Sequence, residues 1–133
     1  MKKVVLIAFL IPLLGCLSAQ MWGKKKSPAE TASLYYKFLM WKYYDRASQF
    51  VDDEKRYDYE DFVSRNEDNL NITDYEIKEV IYNEDQSECR ITVLVKYYRY
   101  PSVSEKSVTV EDRWILKERN WFVISNFDEG IYN

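Results

Sequence analysis

From residue 28 onward the apolar positions first recur every three or four residues, then, beyond residue 70, every second one. Ala32, Tyr35, Tyr36, Leu39, Tyr43, Ala47 and Phe50 share one side of a 3.6-residue helix. Ser27-Pro28-Ala29-Glu30 opens that stretch with a hydroxyl that can cap, a proline suited to the first helical position and a glutamate where a capping box closes. The spacing predicts a helix over about 28–51, with room for a bend near Tyr44-Asp45. Asp52-Asp53-Glu54-Lys55-Arg56 breaks the pattern and reads as a connection. Phe62 and Val63 mark the inner side of a second, short helix over about 59–66.

From Asn71 the period is two. Tyr75 and Ile77, then Val80 and Tyr82, describe one strand with a bulge near Lys78. Ile91, Val93, Val95 and Tyr97 alternate through a second, Val108, Val110, Trp114 and Leu116 through a third, and residues 121–125 form a fourth. Polar turns at residues 83–87, Pro101-Ser102 and Glu118-Arg119-Asn120 separate them. Loops this short predict an antiparallel meander. Helices followed by a sheet with one apolar face make an α+β domain, with the helices packed on the sheet. No repeat interrupts residues 28–133, which read as a single domain.

A third apolar pattern lies at the front of the chain. Lys2 and Lys3 precede an unbroken apolar run of 11 residues, Val4 to Leu14. A permanent membrane-spanning helix needs roughly 20, so the run fits the core of a cleavable leader. Leu13-Leu14-Gly15-Cys16 follows and resembles a bacterial lipobox, with Leu14 bulkier than is usual at its place. The resemblance implies diacylglyceryl transfer to the Cys16 sulfur, cleavage before Cys16 and acylation of the new amino terminus. A thiolate is the nucleophile such a transfer needs. Residues 1–15 are then the signal peptide and 16–27 a lipidated tether. Its Lys24-Lys25-Lys26 run can sit on anionic headgroups or stay solvated. The rival reading is an ordinary secretory peptide cut after Ala19. With Leu17 following the cysteine, the analogy places the anchor in the outer membrane of a Gram-negative cell, facing the periplasm.

Composition narrows the chemistry. Without residues 1–15, 17 basic and 22 acidic side chains stay, a net charge of −5. Nothing in that balance argues for nucleic acid, which wants a basic face. With Cys16 lipidated, Cys89 has no partner for an internal disulfide and reads as a small packing residue. There is no histidine, which removes the commonest general base and metal ligand. No phosphate loop or calcium-loop spacing is present, so no cofactor and no metal are expected, and the acidic stretch from Asp52 to Asp61 reads as a solvated face.

The closing segment, Arg113-Trp114-Ile115-Leu116-Lys117-Glu118-Arg119-Asn120-Trp121-Phe122-Val123-Ile124, resembles the last hairpin of nuclear-transport-factor-2-like domains. A tryptophan-bearing strand, a polar turn and a second tryptophan are common there, although this turn lacks the glycine often found in it. The resemblance covers about residues 28–127. It implies a strongly curved sheet that forms a cone with the helices. That superfamily contains isomerases, dehydratases and cyclases beside many non-catalytic binding modules, so the fold does not choose a function.

One residue breaks a local rule. Asp112 falls on the inward phase of the third strand, between Val110 and Trp114. Counting from the turns aligns it with Val93 on one side and Ser125 on the other. Arg99, in phase with Tyr97, is a second polar exception. A buried carboxylate finds hydrogen bonds or shifts its pKa upward. Asp112 is therefore either a structural residue bonded to Ser125 or a helix tyrosine, or a ligand-orienting or basic group with Tyr35 or Tyr97 as donors. The candidate ligand-binding set is Asp112, Ser125, Tyr97, Arg99 and Tyr35. Twelve tyrosines and four tryptophans are many for this length, and Tyr98 and Tyr100, on the strand face opposite the core, are either scattered surface tyrosines or an exposed aromatic strip suited to a protein partner. The sequence reads best as a non-catalytic envelope lipoprotein that binds a protein partner or small ligand. The alternatives are a pocket isomerase or dehydratase using Asp112, and a carrier of an apolar molecule.

Overall fold

The first helix begins where its cap residues place it. Ser27 Oγ accepts the Glu30 N–H at 3.1 Å and Pro28 occupies the first turn. The computed structural model describes residues 26–133 and runs this helix, α1, over Pro28–Met40. The leader, Cys16 and all of the tether before Lys26 lie outside the described residues. Among the described residues, no helix is long and apolar enough to cross a membrane.

α1 stops well short of residue 51. Lys42 adopts a left-handed backbone with φ 59°. Its N–H reaches Leu39 O at 3.1 Å, and the Tyr43 N–H reaches Phe38 O at 2.8 Å. This pair of bonds is a Schellman stop, usually marked by glycine at the left-handed position. Lysine stands there, so the sequence pattern hides the break. The chain resumes as a short helix, α2, over Tyr44–Ala47 and a 3-10 turn over Ser48–Phe50. The expected plain connection is also ordered. Asp52 accepts from Glu54 N–H to cap a 3-10 turn over Asp53–Lys55, and helix α3 starts earlier than predicted, spanning Arg56–Asn66. Asp52 departs from the expected solvated acidic face: it is buried and accepts from Lys117 Nζ.

The four strands form one antiparallel sheet in sequence order: β1 Leu70–Tyr82, β2 Glu88–Arg99, β3 Lys106–Lys117 and β4 Asn120–Val123. β1 carries two register shifts, one between Ile77 and Glu79, at the predicted bulge, and one between Ile72 and Asp74. Each shift moves the inward set to the other parity, from Leu70 and Ile72 to Tyr75 and Ile77, and then to Val80. β4 ends at Val123 rather than Ser125, where Asp52 N–H binds Val123 O and Val51 bridges Val123.

The core lies between α1, α3 and the inward face of the sheet. Tyr36 and Leu39 from α1 and Tyr59 and Phe62 from α3 cover Ile91, Val93 and Val95 of β2 and Trp114 of β3. Cys89 is buried in β2 as a packing residue, and burial, with Glu88 beside it, pushes its thiol up to about 11. Phe127 and Tyr132, beyond the last strand, close one end of this core. Two substitutions should separate capping from packing in urea denaturation: Ser27→Ala should lose about 1 kcal/mol, and Leu39→Ala about 2–5 kcal/mol.

The buried carboxylate and the aromatic corner

β3 alternates Val110, Asp112 and Trp114 inward, and Asp112 is 1% exposed. Its cross-strand neighbour in β2 is Ile91, not Val93, which pairs with Val110 instead. The β2–β3 connection is longer than the Pro101-Ser102 turn alone, and Tyr97 pairs with Lys106. The count from sequence therefore slips by two residues, which keeps the face and changes the partner.

Two side chains donate to the carboxylate. Tyr36 Oη, from α1, donates to Oδ2, and Asn126 Nδ2, just past β4, donates to Oδ1. Asn126 has φ 69°, a left-handed conformation that asparagine tolerates, and its amide also donates to Glu111 O at 2.8 Å. Burial pushes the Asp112 pKa up to about 6, and the donors Tyr36, Asn126 and Trp114 oppose that rise only in part. The Trp114 indole N–H contributes by proximity, since it meets no acceptor in hydrogen-bond geometry. A buried donor left unmet costs about 1–3 kcal/mol.

Aromatic rings enclose this centre. Tyr35 meets Tyr36 and Trp114 edge-on at 5.2 and 5.7 Å, and Tyr36 stacks on Tyr75 at 5.9 Å. Burial first, then the Asp112 charge, holds the Tyr35 and Tyr36 phenols well above the usual range, so both stay protonated. Tyr132 is raised by the same two causes, while its contact with Tyr36 opposes the shift.

The candidate residues separate. Tyr36, rather than Tyr35 or Tyr97, is the tyrosine donor to Asp112. Tyr35 is nearby as a ring. Tyr97 Oη donates to Asn133 O at 2.8 Å. Ser125 Oγ accepts from Arg113 N–H at 2.7 Å and does not bond Asp112. Arg99 Nη1 donates to Asn66 Oδ1 and Tyr132 O, each at 2.9 Å. Asn126 and Tyr132 escape sequence reading because they follow the last strand, where no periodicity indicates which side chains turn inward.

A carboxylate with a pKa near 6 beside a tyrosine hydroxyl is an acid–base pair in composition. Here it is sealed. A crevice of about 270 Å³ runs beside Phe62, Arg99 and Tyr132, but Asp112 does not line it. Among the described residues, no group of three or more His, Cys, Asp or Glu is placed to hold a metal ion.

The second feature is on the surface. Trp41 and Tyr43, each 49% exposed, meet edge-on at 5.9 Å where α1 turns into α2. Lys37 Nζ lies 4.6 Å from the Trp41 ring centre and the Arg46 guanidinium 5.2 Å from that of Tyr43. A groove of about 560 Å³ continues from Tyr43 past Arg46 to Val63 and Glu67. Of the two readings of Tyr98 and Tyr100, separate surface tyrosines fit better than a strip: Tyr98 is half-buried and Tyr100 is exposed. Trp41 lies off the apolar face of α1, which is why helical spacing passed over it. Comparison of the chain with protein-family models, curated proteins and solved structures gives no match.

The Asp112 carboxyl titrates near 3.8 when unfolded and near 6 when folded. Between those values the unfolded chain releases its proton first, so stability falls as pH rises and levels off above 6. Relative to Asp112→Asn, the native chain should therefore lose roughly 3 kcal/mol between pH 3.5 and 7 in urea denaturation. Parallel curves for the two proteins would contradict the buried ionisation. Tyr36→Phe removes a donor that favours the charged form, so the Asp112 midpoint, followed by carboxyl carbon NMR, should move above 6.

Proposed function

We propose that the chain is a lipid-anchored protein of the bacterial envelope, whose α+β domain is nuclear-transport-factor-2-like and serves as a non-catalytic binding module for a protein partner. The observation that carries this reading is the contrast between the two aromatic clusters. The interior one is filled by its own side chains, and its carboxylate is closed off. The one at the α1–α2 corner is half-exposed, with Lys37 and Arg46 over its rings and Asp45 and Glu67 along the adjoining groove. Rigid amphipathic rings beside Lys37, Lys42 and Arg46 suit a protein surface that offers apolar side chains flanked by carboxylates.

Anchoring is supported by the short apolar leader and by Leu13-Leu14-Gly15-Cys16. The element order, helices before a four-stranded meander, and the hairpin joining Trp114 to Trp121 support the fold assignment. The tether joins α1 at Ser27, and the corner lies at the other end of that 13-residue helix, about 20 Å away at 1.5 Å per residue. The contact surface therefore lies at the end of α1 away from Ser27.

A photo-crosslinking amino acid at position 43, activated in intact cells, should yield an adduct of defined mass that Trp41→Ala abolishes. The absence of any adduct at position 43, with adducts formed from Tyr57 or Tyr100, would move the contact surface elsewhere. Separately, Cys16→Ser should abolish acyl labelling and release the protein from membranes. Retention and labelling unchanged by that substitution would contradict the anchor.

A further inference from the structure

We propose that the crevice beside Arg99 binds a small zwitterion, a free α-amino acid with an apolar side chain, by its carboxylate and its ammonium group together. The site is separate from the α1–α2 corner and does not depend on it. The crevice holds about 270 Å³, and Phe62, Arg99, Asp128, Glu129, Ile131 and Tyr132 are among its walls. Pockets for drug-sized molecules begin at about 300 Å³, so the occupant is smaller than those.

The cation is Arg99. The inward phase of β2 carries it to the end of the strand, where it lies half-buried. Its Nη1 donates to Asn66 Oδ1 and to Tyr132 O, each at 2.9 Å. The Asn66 amide is itself fixed, since its Nδ2 donates to Phe62 O at 2.8 Å. Two acceptors thus set the guanidinium plane before any ligand arrives, which lowers the cost of binding one. Fastening the C-terminal segment accounts for Nη1 alone. Among the described residues, Nε and Nη2 meet no acceptor and Arg99 forms no ion pair. Those two nitrogens make a fork that takes a carboxylate in two parallel bonds. Arg65, the other cation of the crevice, is already engaged: its Nε donates to Asp61 and its Nη2 to Phe127 O.

The anions are Asp128 and Glu129. Both are exposed and line the same crevice, and among the described residues their carboxylates make no hydrogen bond or ion pair. They share the crevice with Arg99 without reaching its guanidinium. Opposite charges held apart in one small space fit a molecule that carries both, its carboxylate on the Arg99 fork and its ammonium towards the two acids. A simple organic acid would meet Asp128 and Glu129 as like charges, which selects against it. Phe62, Ile131 and the Tyr132 ring offer the side chain an apolar wall.

L-Leucine is the probe, titrated into the full-length chain and followed by calorimetry and by the Arg99 Nε–H signal in NMR. Saturable binding should shift that signal and the amides of residues 128–133. 4-Methylpentanoate, which lacks only the ammonium, and 3-methylbutylamine, which lacks only the carboxylate, should each bind about tenfold more weakly or worse. Arg99→Lys keeps the charge but loses the fork, and should weaken L-leucine by about tenfold. Asp128→Asn combined with Glu129→Gln, at positions that bond nothing else, should weaken L-leucine and leave 4-methylpentanoate no weaker. That selectivity distinguishes a lost ligand contact from a damaged fold. No saturable shift with millimolar L-leucine, equal binding of L-leucine and 4-methylpentanoate, or a double variant that weakens both alike would each overturn the proposal. So would O-phosphoethanolamine binding more tightly than L-leucine, which would assign the crevice to a phosphate-bearing headgroup.

Discussion

A carboxylate set into the apolar face of a sheet obliges distant parts of the chain to meet. Asp112 can stay in the interior only if donors reach it, because an unsolvated charge without partners costs several kcal/mol. α1 supplies Tyr36 and the segment after β4 supplies Asn126. The sheet, the first helix and the C-terminal segment are thus registered on one acceptor. Its pKa, pushed up to about 6, shows that desolvation still outweighs the donors.

The aromatic residues divide around that centre. Tyr35, Tyr36 and Trp114 pack edge-on as one group, and Tyr59, Phe62, Phe127 and Tyr132 pack edge-on or tilted as a second, contacts worth about 0.5–1.5 kcal/mol per pair beyond the area they bury. Trp41 and Tyr43 lie outside this packing because the Schellman stop at Lys42 turns the chain off the sheet before they could join it. The same backbone event therefore ends α1 and creates the proposed contact surface. A continuous helix to residue 51 would have buried Tyr43 with the core face.

The C-terminal segment is tied to the body along its length. Through Asn126 and Phe127 it completes the fold, while Tyr132 and Asn133 are held by side-chain donors that water could replace. The Trp114 indole N–H is buried without an acceptor in hydrogen-bond geometry.

Much of the fold was legible because it rests on local periodicity. Alternation in β2 and β3, the cap at Ser27-Pro28-Glu30, the bulge at Lys78 and the inward phase of Asp112 all follow from the spacing of side chains on a helix or strand, which neighbours cannot alter. The second bulge at Thr73 and the helix stop at Lys42 carry no glycine or proline to announce them. The partners of Asp112 were beyond reach for a different reason. A hydrogen bond between residues 76 positions apart, as from Tyr36 to Asp112, is decided by how a helix settles on a sheet, and Asn126 and Tyr132 belong to a segment without a repeat. The chain alone determined that a carboxylate would be buried and that aromatics would surround it. Only packing in three dimensions decided which hydroxyl meets it, which ring covers it and which rings stay outside, because those choices depend on distances that no local pattern encodes.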